Sequence, residues 1–335
     1  MTPSAPLATA AGPDLLGPAE VDRAAERLAG RIRRTPVLPF RPGLRLKAEH
    51  LQHSGSFKLR GAANAVLALG ARSIVTGSSG NHGIALARLA GELGIELTVV
   101  LAGGASPDKA ALIRALGART VAVAGGVAER ELRAAELART TGAVLIPSSD
   151  HALVVAGQGT VGREILADAP DTEAIYVPVG GGGLLAGVCL AAWDRPVRVI
   201  GVEPAGTPRY ARSLAAGHPL RLPACDTVAD GLRGQQPGTV TYPIVRDRVD
   251  ELVTVTDAEV LAAAVLLGRQ GVEAEPSGAV ALAGALRSGG PERAVAVVSG
   301  GNTPAALRAA AARHQLFSPN SLPSPSLSSP EEQSR

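Results

Sequence analysis

From Ser73 onward the chain alternates short apolar runs with helical stretches, and this rhythm sets its fold class. Ser73–Thr76, Glu96–Leu101, Thr120–Val123 and Ala143–Ile146 read as strands. The runs between them, to about Leu93, from Pro107 to Leu116 and from Val127 to Arg139, read as helices. Parallel strands need long crossovers, and a helix supplies one compactly, so the pattern predicts a parallel sheet with helices on its faces. A second series repeats it with strands at Ala174–Val179, Val197–Val202, Glu251–Val255 and Ala294–Val298. Its helices run to about Leu166, from the glycines at 180–183 to about Ala192, from Tyr210 to Ala216, from an N-cap at Asp257 to Gln270, and onward from Pro276 and Pro304. Ahead of both series come a helix over Pro18–Ala29, an extended Thr35–Leu38, a short strand Leu44–Lys47 and a helix at 61–70, with Lys58 on the loop before it. The expected fold is α/β, with two open parallel-sheet units: residues 73–147 inserted into a larger unit of 18–72 and 148–316. Residues 1–17 read as a flexible N-terminus, and 317–335, mostly Ser, Pro and Glu, as a disordered tail.

Composition removes several function classes. Aromatics are only 2%, so the core must be built of Ala, Val and Leu. Net charge is +3, with arginines spread along the chain among acids, which predicts no nucleic-acid partner. Cys189 and Cys225 lack CxxC spacing and read as small core residues in a reducing, cytoplasmic setting. No basic region followed by an apolar run opens the chain, and no apolar segment reaches about 18 residues, so neither a signal peptide nor a membrane span is expected.

The chemistry-bearing residues lie in turns that follow strands, where open α/β sheets bind ligands. Four consecutive glycines, Gly180, Gly181, Gly182 and Gly183, sit between an apolar strand and a helix. Free N–H groups there, with the helix dipole behind them, suit a phosphate. Gly181, Gly183 and Ala186 also fit G-x-G-x-x-A, with Glu203 ending the next strand, which is the dinucleotide alternative. Ser78-Ser79-Gly80-Asn81-His82-Gly83 offers N–H groups and hydroxyls to a carboxylate. Asn81 can donate to a phenolate-like oxygen, and His82 reads first as a structural hydrogen bonder and only second as an acid or base. In Ser299-Gly300-Gly301-Asn302 a hydroxyl is available to a ring nitrogen. Lys58, in Gly55-Ser56-Phe57-Lys58-Leu59-Arg60-Gly61-Ala62, is by default a solvated side chain. A free lysine is a poor nucleophile near neutral pH unless desolvated or set near positive charge, and holding it as a Schiff base avoids the problem. A phosphate cradle, an asparagine, a hydroxyl and a lysine together describe a pyridoxal phosphate site. The dinucleotide reading leaves Lys58, Asn81 and Ser299 without a task.

From about residue 18 to 303 the sequence resembles the fold-type II (tryptophan synthase β-like) pyridoxal-phosphate enzymes, in particular the serine/threonine dehydratase and serine racemase family. The motifs are Thr35-Pro-Val37, Lys47-Ala-Glu49, Ser56-Phe-Lys58-Leu-Arg-Gly61-Ala62, Ser78-Ser-Gly-Asn-His-Gly83, Ala156-Gly-Gln-Gly-Thr160, Val177-Pro-Val-Gly-Gly-Gly-Gly183, Val202-Glu-Pro204, Ala229-Asp-Gly231, Glu275-Pro-Ser-Gly278 and Ser299-Gly-Gly-Asn302. The resemblance implies that Lys58 is the Schiff-base lysine and takes the substrate α-proton. It places Phe57 against the cofactor ring, Asn81 on its 3′ oxygen, Gly180–Gly183 on its phosphate and Ser299 on the pyridine nitrogen. Ser78, Ser79, Gly80, Asn81 and His82 then receive the substrate carboxylate, and the product of β-hydroxyl elimination is a 2-oxo acid with ammonia. Ser79 and Arg130 match racemase positions, which makes an amino-acid racemase with side elimination the alternative to a serine or threonine ammonia-lyase. A racemase-type cation needs two groups shortly after Glu203, and here they are Thr207 and Arg209. Either a cation is repelled there or the guanidinium replaces it by pairing with Glu203. The resemblance also implies an amino-acid substrate and a homodimer.

Overall fold

The structure, a computed structural model, describes residues 16–289 and 293–303. Most of the expected flexible N-terminus, the helix expected from Pro304 and the tail lie outside those residues. The strands in chain order are β1 (Val37–Arg41), β2 (Leu44–Lys47), β3 (Ser73–Gly77), β4 (Glu96–Leu101), β5 (Arg119–Ala122), β6 (Val144–Leu145), β7 (Ala174–Pro178), β8 (Arg198–Pro204), β9 (Glu251–Val255) and β10 (Ala294–Val297). The helices are α1 (Pro18–Leu28), α2 (Lys58–Leu69), α3 (Asn81–Leu93), α4 (Pro107–Ala115), α5 (Val127–Thr141), α6 (Ala152–Asp168), α7 (Gly183–Ala191), α8 (Arg209–Ala216), α9 (Thr241–Arg248), α10 (Asp257–Arg269) and α11 (Pro276–Ser288).

Two sheets form. One has the order β5-β4-β3-β6 and is parallel throughout. The other has the order β1-β2-β10-β7-β8-β9 and is parallel except for β1 against β2. That edge pair is a hairpin because Pro42-Gly43, with Gly43 at φ +78°, reverses the chain within two residues. Alternate residues of the central strands feed opposite faces. Ile175 and Val177 of β7 and Val295 and Val297 of β10 enter one core, while Ala174, Tyr176, Ala294 and Ala296 enter the other. Leu59, Ala62, Ala63 and Val66 of α2 join the core over the four-stranded sheet with Ile84, Leu86 and Val99. Helix α2 also crosses α6 at very short range: a Cβ on Gly157 would lie 2.6 Å from the Arg60 carbonyl oxygen and 2.7 Å from the Gly61 Cα. The helix that carries Lys58 is thus wedged between the two sheets.

Three details depart from the sequence expectation. Lys58 is the first residue of α2, not part of a loop before it. Helix α10 is capped by Thr256, whose hydroxyl accepts from the Glu259 N–H while the Glu259 carboxylate accepts from the Thr256 N–H. The Asp257 carboxylate instead accepts from the Thr227 hydroxyl and the Val228 N–H, tying down the loop after α8. Helix α9 has weak local propensity, with Thr241, Tyr242, Pro243 and Val245, and exists because Tyr242, Ile244 and Val245 are buried in the core.

Beneath the first turn of α2 lies a buried ionic cluster. The Arg60 guanidinium donates to both carboxylate oxygens of Glu49 at 2.8 Å and to those of Glu164 at 2.7 and 2.8 Å. The Lys47 ammonium donates to Glu164 at 2.6 Å and to the Thr35 carbonyl oxygen at 2.6 Å. Two cations and two carboxylates leave no net charge, and the cluster locks β2, α2 and α6 into one frame. Arg60→Leu strands two buried carboxylates with Lys47 alone, so denaturant unfolding of that variant is expected to show a loss of about 3–5 kcal/mol.

Candidate active site

The strand-end turns meet at one seam between the sheets. Residues 54–57 are stitched to the turn after β10: the Phe57 N–H donates to the Ser299 carbonyl oxygen at 3.1 Å, and the Gly301 N–H to the Gly55 carbonyl oxygen at 2.9 Å. The Asn302 amide donates to the Ser54 carbonyl oxygen at 2.8 Å and to Asn81 Oδ1 at 3.1 Å, which draws in the turn after β3. Lys58 Nζ donates to the Ser148 carbonyl oxygen at 2.6 Å. The neighbouring Ser149 packs on the glycine turn, where a Cβ at Gly183 would meet its carbonyl oxygen at 2.9 Å. Lys58 and Gly180–Gly183 are therefore joined through residues 148–149, and Asn81 and Ser299 to the Lys58 segment through Asn302 and Phe57.

The chain has three lysines. Lys47 and Lys109 are paired with carboxylates, whereas Lys58 donates only to a neutral carbonyl. Its amine is pushed down to about 8, first by burial and then by the charge of Arg130. The Phe57 ring lies 5.1 Å from Nζ. Arg130, on α5, backs the end of β3, where a Cβ on Gly77 would approach its Nε to 3.4 Å. His82 is buried and pushed down to about 3, first by burial and then by Lys58. Its Nε2 lies 3.1 Å from the Ile146 carbonyl oxygen, which can only accept, so Nε2 carries the proton and the ring is neutral. That arrangement makes His82 a structural hydrogen bonder.

Two groups of main-chain donors face no acceptor among the described residues. The N–H groups of Ser79, Asn81 and His82 form one, at the start of α3; those of Gly180, Gly181 and Gly182 form the other. Each suits an anion. The Ser78 hydroxyl is committed to the α3 start, accepting from the Gly80 and Gly83 N–H groups, and the Ser79 hydroxyl accepts from the Ala102 N–H at 3.0 Å. Asn81 donates to Glu275, whose other oxygen accepts from Lys109 at 3.1 Å. The Ser299 hydroxyl donates to the Ser277 carbonyl oxygen at 3.3 Å. Gly182 has φ +91°, and a Cβ there would lie 1.8 Å from Tyr210 Oη. No other residue fits.

Glu203 does not reach Arg209. Its carboxylate accepts from the Tyr210 and Ala211 N–H groups at 2.9 Å each, closing the start of α8. The expected pairing with Arg209 is absent from the ion pairs among the described residues, because the guanidinium turns the other way, into main-chain carbonyls. Among the described residues no group of three or more His, Cys, Asp or Glu side chains is placed to hold a metal ion.

A desolvated amine, an anion cradle, an amide and a strand-end hydroxyl at one seam fit pyridoxal phosphate. A family model for pyridoxal-phosphate dependent enzymes matches residues 28–300. The chain belongs to this family. It is 38% identical over 299 residues to the L-threonine ammonia-lyase of Geobacter sulfurreducens, covering 84% of this chain and 74% of the relative. It is 39% identical over 280 residues to the serine racemase of Arabidopsis thaliana, covering 79% and 84%. Among solved structures, a threonine deaminase from T.th. superposes with a TM-score of 0.81 at 41% identity, covering 85% of this chain and 98% of its own. The α/β architecture is that of the fold-type II members, and the cofactor is pyridoxal 5′-phosphate. No helix among the described residues is long and apolar enough to cross a membrane.

Sequence reasoning missed Glu275, Lys109, Tyr210 and Thr241 as supports of this site. The hint available was chemical: a lysine at the start of α4 and a tyrosine, one of three in the chain, just after Arg209. Three outcomes follow from the geometry. Reductive methylation of Lys58 in cofactor-free protein, followed by peptide mass, is expected to be half-maximal near pH 8, and Arg130→Leu is expected to move that midpoint upward. Since the folded amine sheds its proton before the unfolded one at 10.5, cofactor-free protein also gains stability as pH rises from about 8, a gain absent in Lys58→Met. Gly182→Ala is expected to cost about 1–3 kcal/mol in thermal unfolding and to weaken cofactor binding, with Gly180→Ala losing less of both.

Proposed function

We propose that the chain is an ammonia-lyase that converts L-threonine, L-serine or both to a 2-oxo acid and ammonia by α,β-elimination, with Lys58 as its base. The observation that carries this reading is the single amine at the seam, lowered to about 8 and free of any carboxylate partner. Bound pyridoxal phosphate supplies an electron sink for the pair left when the α C–H bond breaks. The N–H groups of Gly180–Gly182 would hold the cofactor phosphate, Asn81 its 3′ oxygen and Ser299 its ring nitrogen, with Phe57 beside the ring. The substrate carboxylate sits on the N–H groups at the start of α3, between Ser79 and His82, and Arg130 keeps positive charge near it. Lys58 Nζ takes the α-proton, and the electron pair left behind becomes the Cα=Cβ bond as the Cβ–O bond breaks. The hydroxyl departs as water with that proton, and the released enamine takes up water to give the oxo acid and ammonia.

Elimination needs one base on one face of the substrate. Racemisation needs a second group that gives and takes a proton on the opposite face, and Ser79 is the residue the sequence offers. Its hydroxyl accepts from the Ala102 N–H and donates to no acceptor among the described residues, so nothing prepares it as a base. The racemase alternative draws on the presence of Ser79 itself and on the near-equal similarity to relatives named as racemases.

Incubation of cofactor-saturated protein with L-serine and L-threonine, with 2-oxo acid and D-enantiomer both quantified, separates the two. Oxo acid is expected to dominate, and Lys58→Ala to lower its formation by about 10²- to 10⁴-fold. A predominance of D-serine that disappears in Ser79→Ala would replace the lyase reading with the racemase one.

A further inference from the structure

Arg209, the first residue of α8, is wholly buried. Its Nη1 donates to the carbonyl oxygens of Val179 at 2.9 Å and Gly180 at 2.7 Å. Its Nη2 donates to the Leu232 carbonyl oxygen at 2.5 Å and the Thr207 hydroxyl at 3.0 Å. The buried Nε has no partner among the described residues. Buried guanidinium groups are ordinarily held by carboxylates. This one donates only to neutral oxygens, with the Glu203 carboxylate acting on it through charge and not through a hydrogen bond, and it stands at a helix N-terminus, the end where the dipole disfavours a cation. Such an unfavourable placement calls for a compensating task, and the acceptors indicate what it is.

A trans peptide unit is planar, with its C=O and N–H on opposite sides. Tying the Val179 and Gly180 carbonyls to one guanidinium therefore turns the Gly180 and Gly181 N–H groups the other way. The Gly181 carbonyl oxygen is held in the same manner, by Tyr210 Oη at 3.1 Å and Thr241 Oγ1 at 3.0 Å, which turns out the Gly182 N–H. None of the three N–H groups so presented has an acceptor among the described residues. One side of the turn thus binds a fixed positive charge by its oxygens, and the other offers its donors to a phosphate.

A metal ion bound to the same carbonyl oxygens would perform this task, and here it has no room. The guanidinium occupies the carbonyl cluster, its charge repels a second cation, and both Glu203 oxygens are already taken by amides. We propose that Arg209 is the resident cation of the phosphate turn: a positioning residue that aims the Gly180–Gly182 donors, so that cofactor binding in this protein requires no added mono- or divalent cation. The proposal rests on the phosphate lying at Gly180–Gly182. It is independent of the choice between lyase and racemase, because its test reads cofactor binding.

Cofactor affinity, from titration of the bound-cofactor absorbance, and the thermal midpoint are measured with EDTA in a sodium buffer, then with added potassium, magnesium or calcium chloride. In the natural protein both are expected to stay unchanged. Arg209→Ala is expected to weaken cofactor binding about 10- to 100-fold, the worth of one or two charge-assisted hydrogen bonds. Added guanidinium ion or one of the metal ions is expected to restore part of that loss, which mere repacking damage would not allow. Arg209→Lys, with one nitrogen for three carbonyls, is expected to fall between. Loss of cofactor from the natural protein on EDTA treatment, reversed by magnesium, would overturn the proposal, as would an Arg209→Ala protein that binds cofactor normally. Should Arg209→Ala fail to fold, Arg209→Lys and the cation titration of the natural protein decide by the same criteria. Separately, a Gly182→Ala protein that keeps full cofactor affinity would show that the phosphate lies elsewhere.

Discussion

Main-chain hydrogen bonds between residues 55–57 and 299–301 carry Lys58 into the seam between the two sheets, and the remaining features of the site depend on that placement. Once there, the amine is partly buried and has no carboxylate partner among the described residues. The fold can hold it so because the helix it opens is fixed from below by Arg60, whose guanidinium is satisfied by two glutamates from different elements. An amine lowered to about 8 is thus set two residues before the arginine of a fully paired ionic cluster. Lys47 and Lys109 are paired with carboxylates, and the lysine without one among the described residues stands at the ligand seam.

Charge at the seam is arranged for anions. Lys58, Arg130 and Arg209 lie around the turns, while the N–H groups at 79–82 and 180–182 face no acceptor among the described residues. The one carboxylate that touches the site, Glu275, is held by Asn81 and Lys109. On the proposed reading, a dianionic cofactor phosphate and a substrate carboxylate would each find donors already in place.

Much of this was legible in the sequence, for physical reasons that differ from element to element. Strands such as Ala174–Pro178 are buried on both faces and so read as unbroken apolar runs, and the turn that follows this one is marked by glycines, of which Gly182 has both a positive φ and no room for a Cβ. Periodicity therefore located the sheets, and the strand-end rule located the site. The Lys58 position within α2 was misjudged because Gly55-Ser56 suggests a longer loop, whereas Phe57 already adopts helical angles. Helix α9 was not legible, since its stability comes from tertiary burial of Tyr242 and Val245 rather than from local propensity. Arg209 was legible as a misfit but not in its contacts. Carbonyl acceptors leave no trace in a sequence, and only the folded turn reveals that the guanidinium serves Gly180 instead of Glu203.

Glu275 has a mechanical consequence. It stands at the N-cap position of α11 beside the six-stranded sheet, yet its carboxylate grips Asn81 of α3 and Lys109 of α4, both of which flank the other sheet, and Lys109 also holds Asp230 at 2.8 Å. One side chain therefore rivets the two halves of the molecule across the ligand seam. Sliding them apart by the length of a single hydrogen bond releases an amide and an ammonium together. The residue that would face the cofactor's 3′ oxygen therefore shares its anchor with the contact that joins the two sheets.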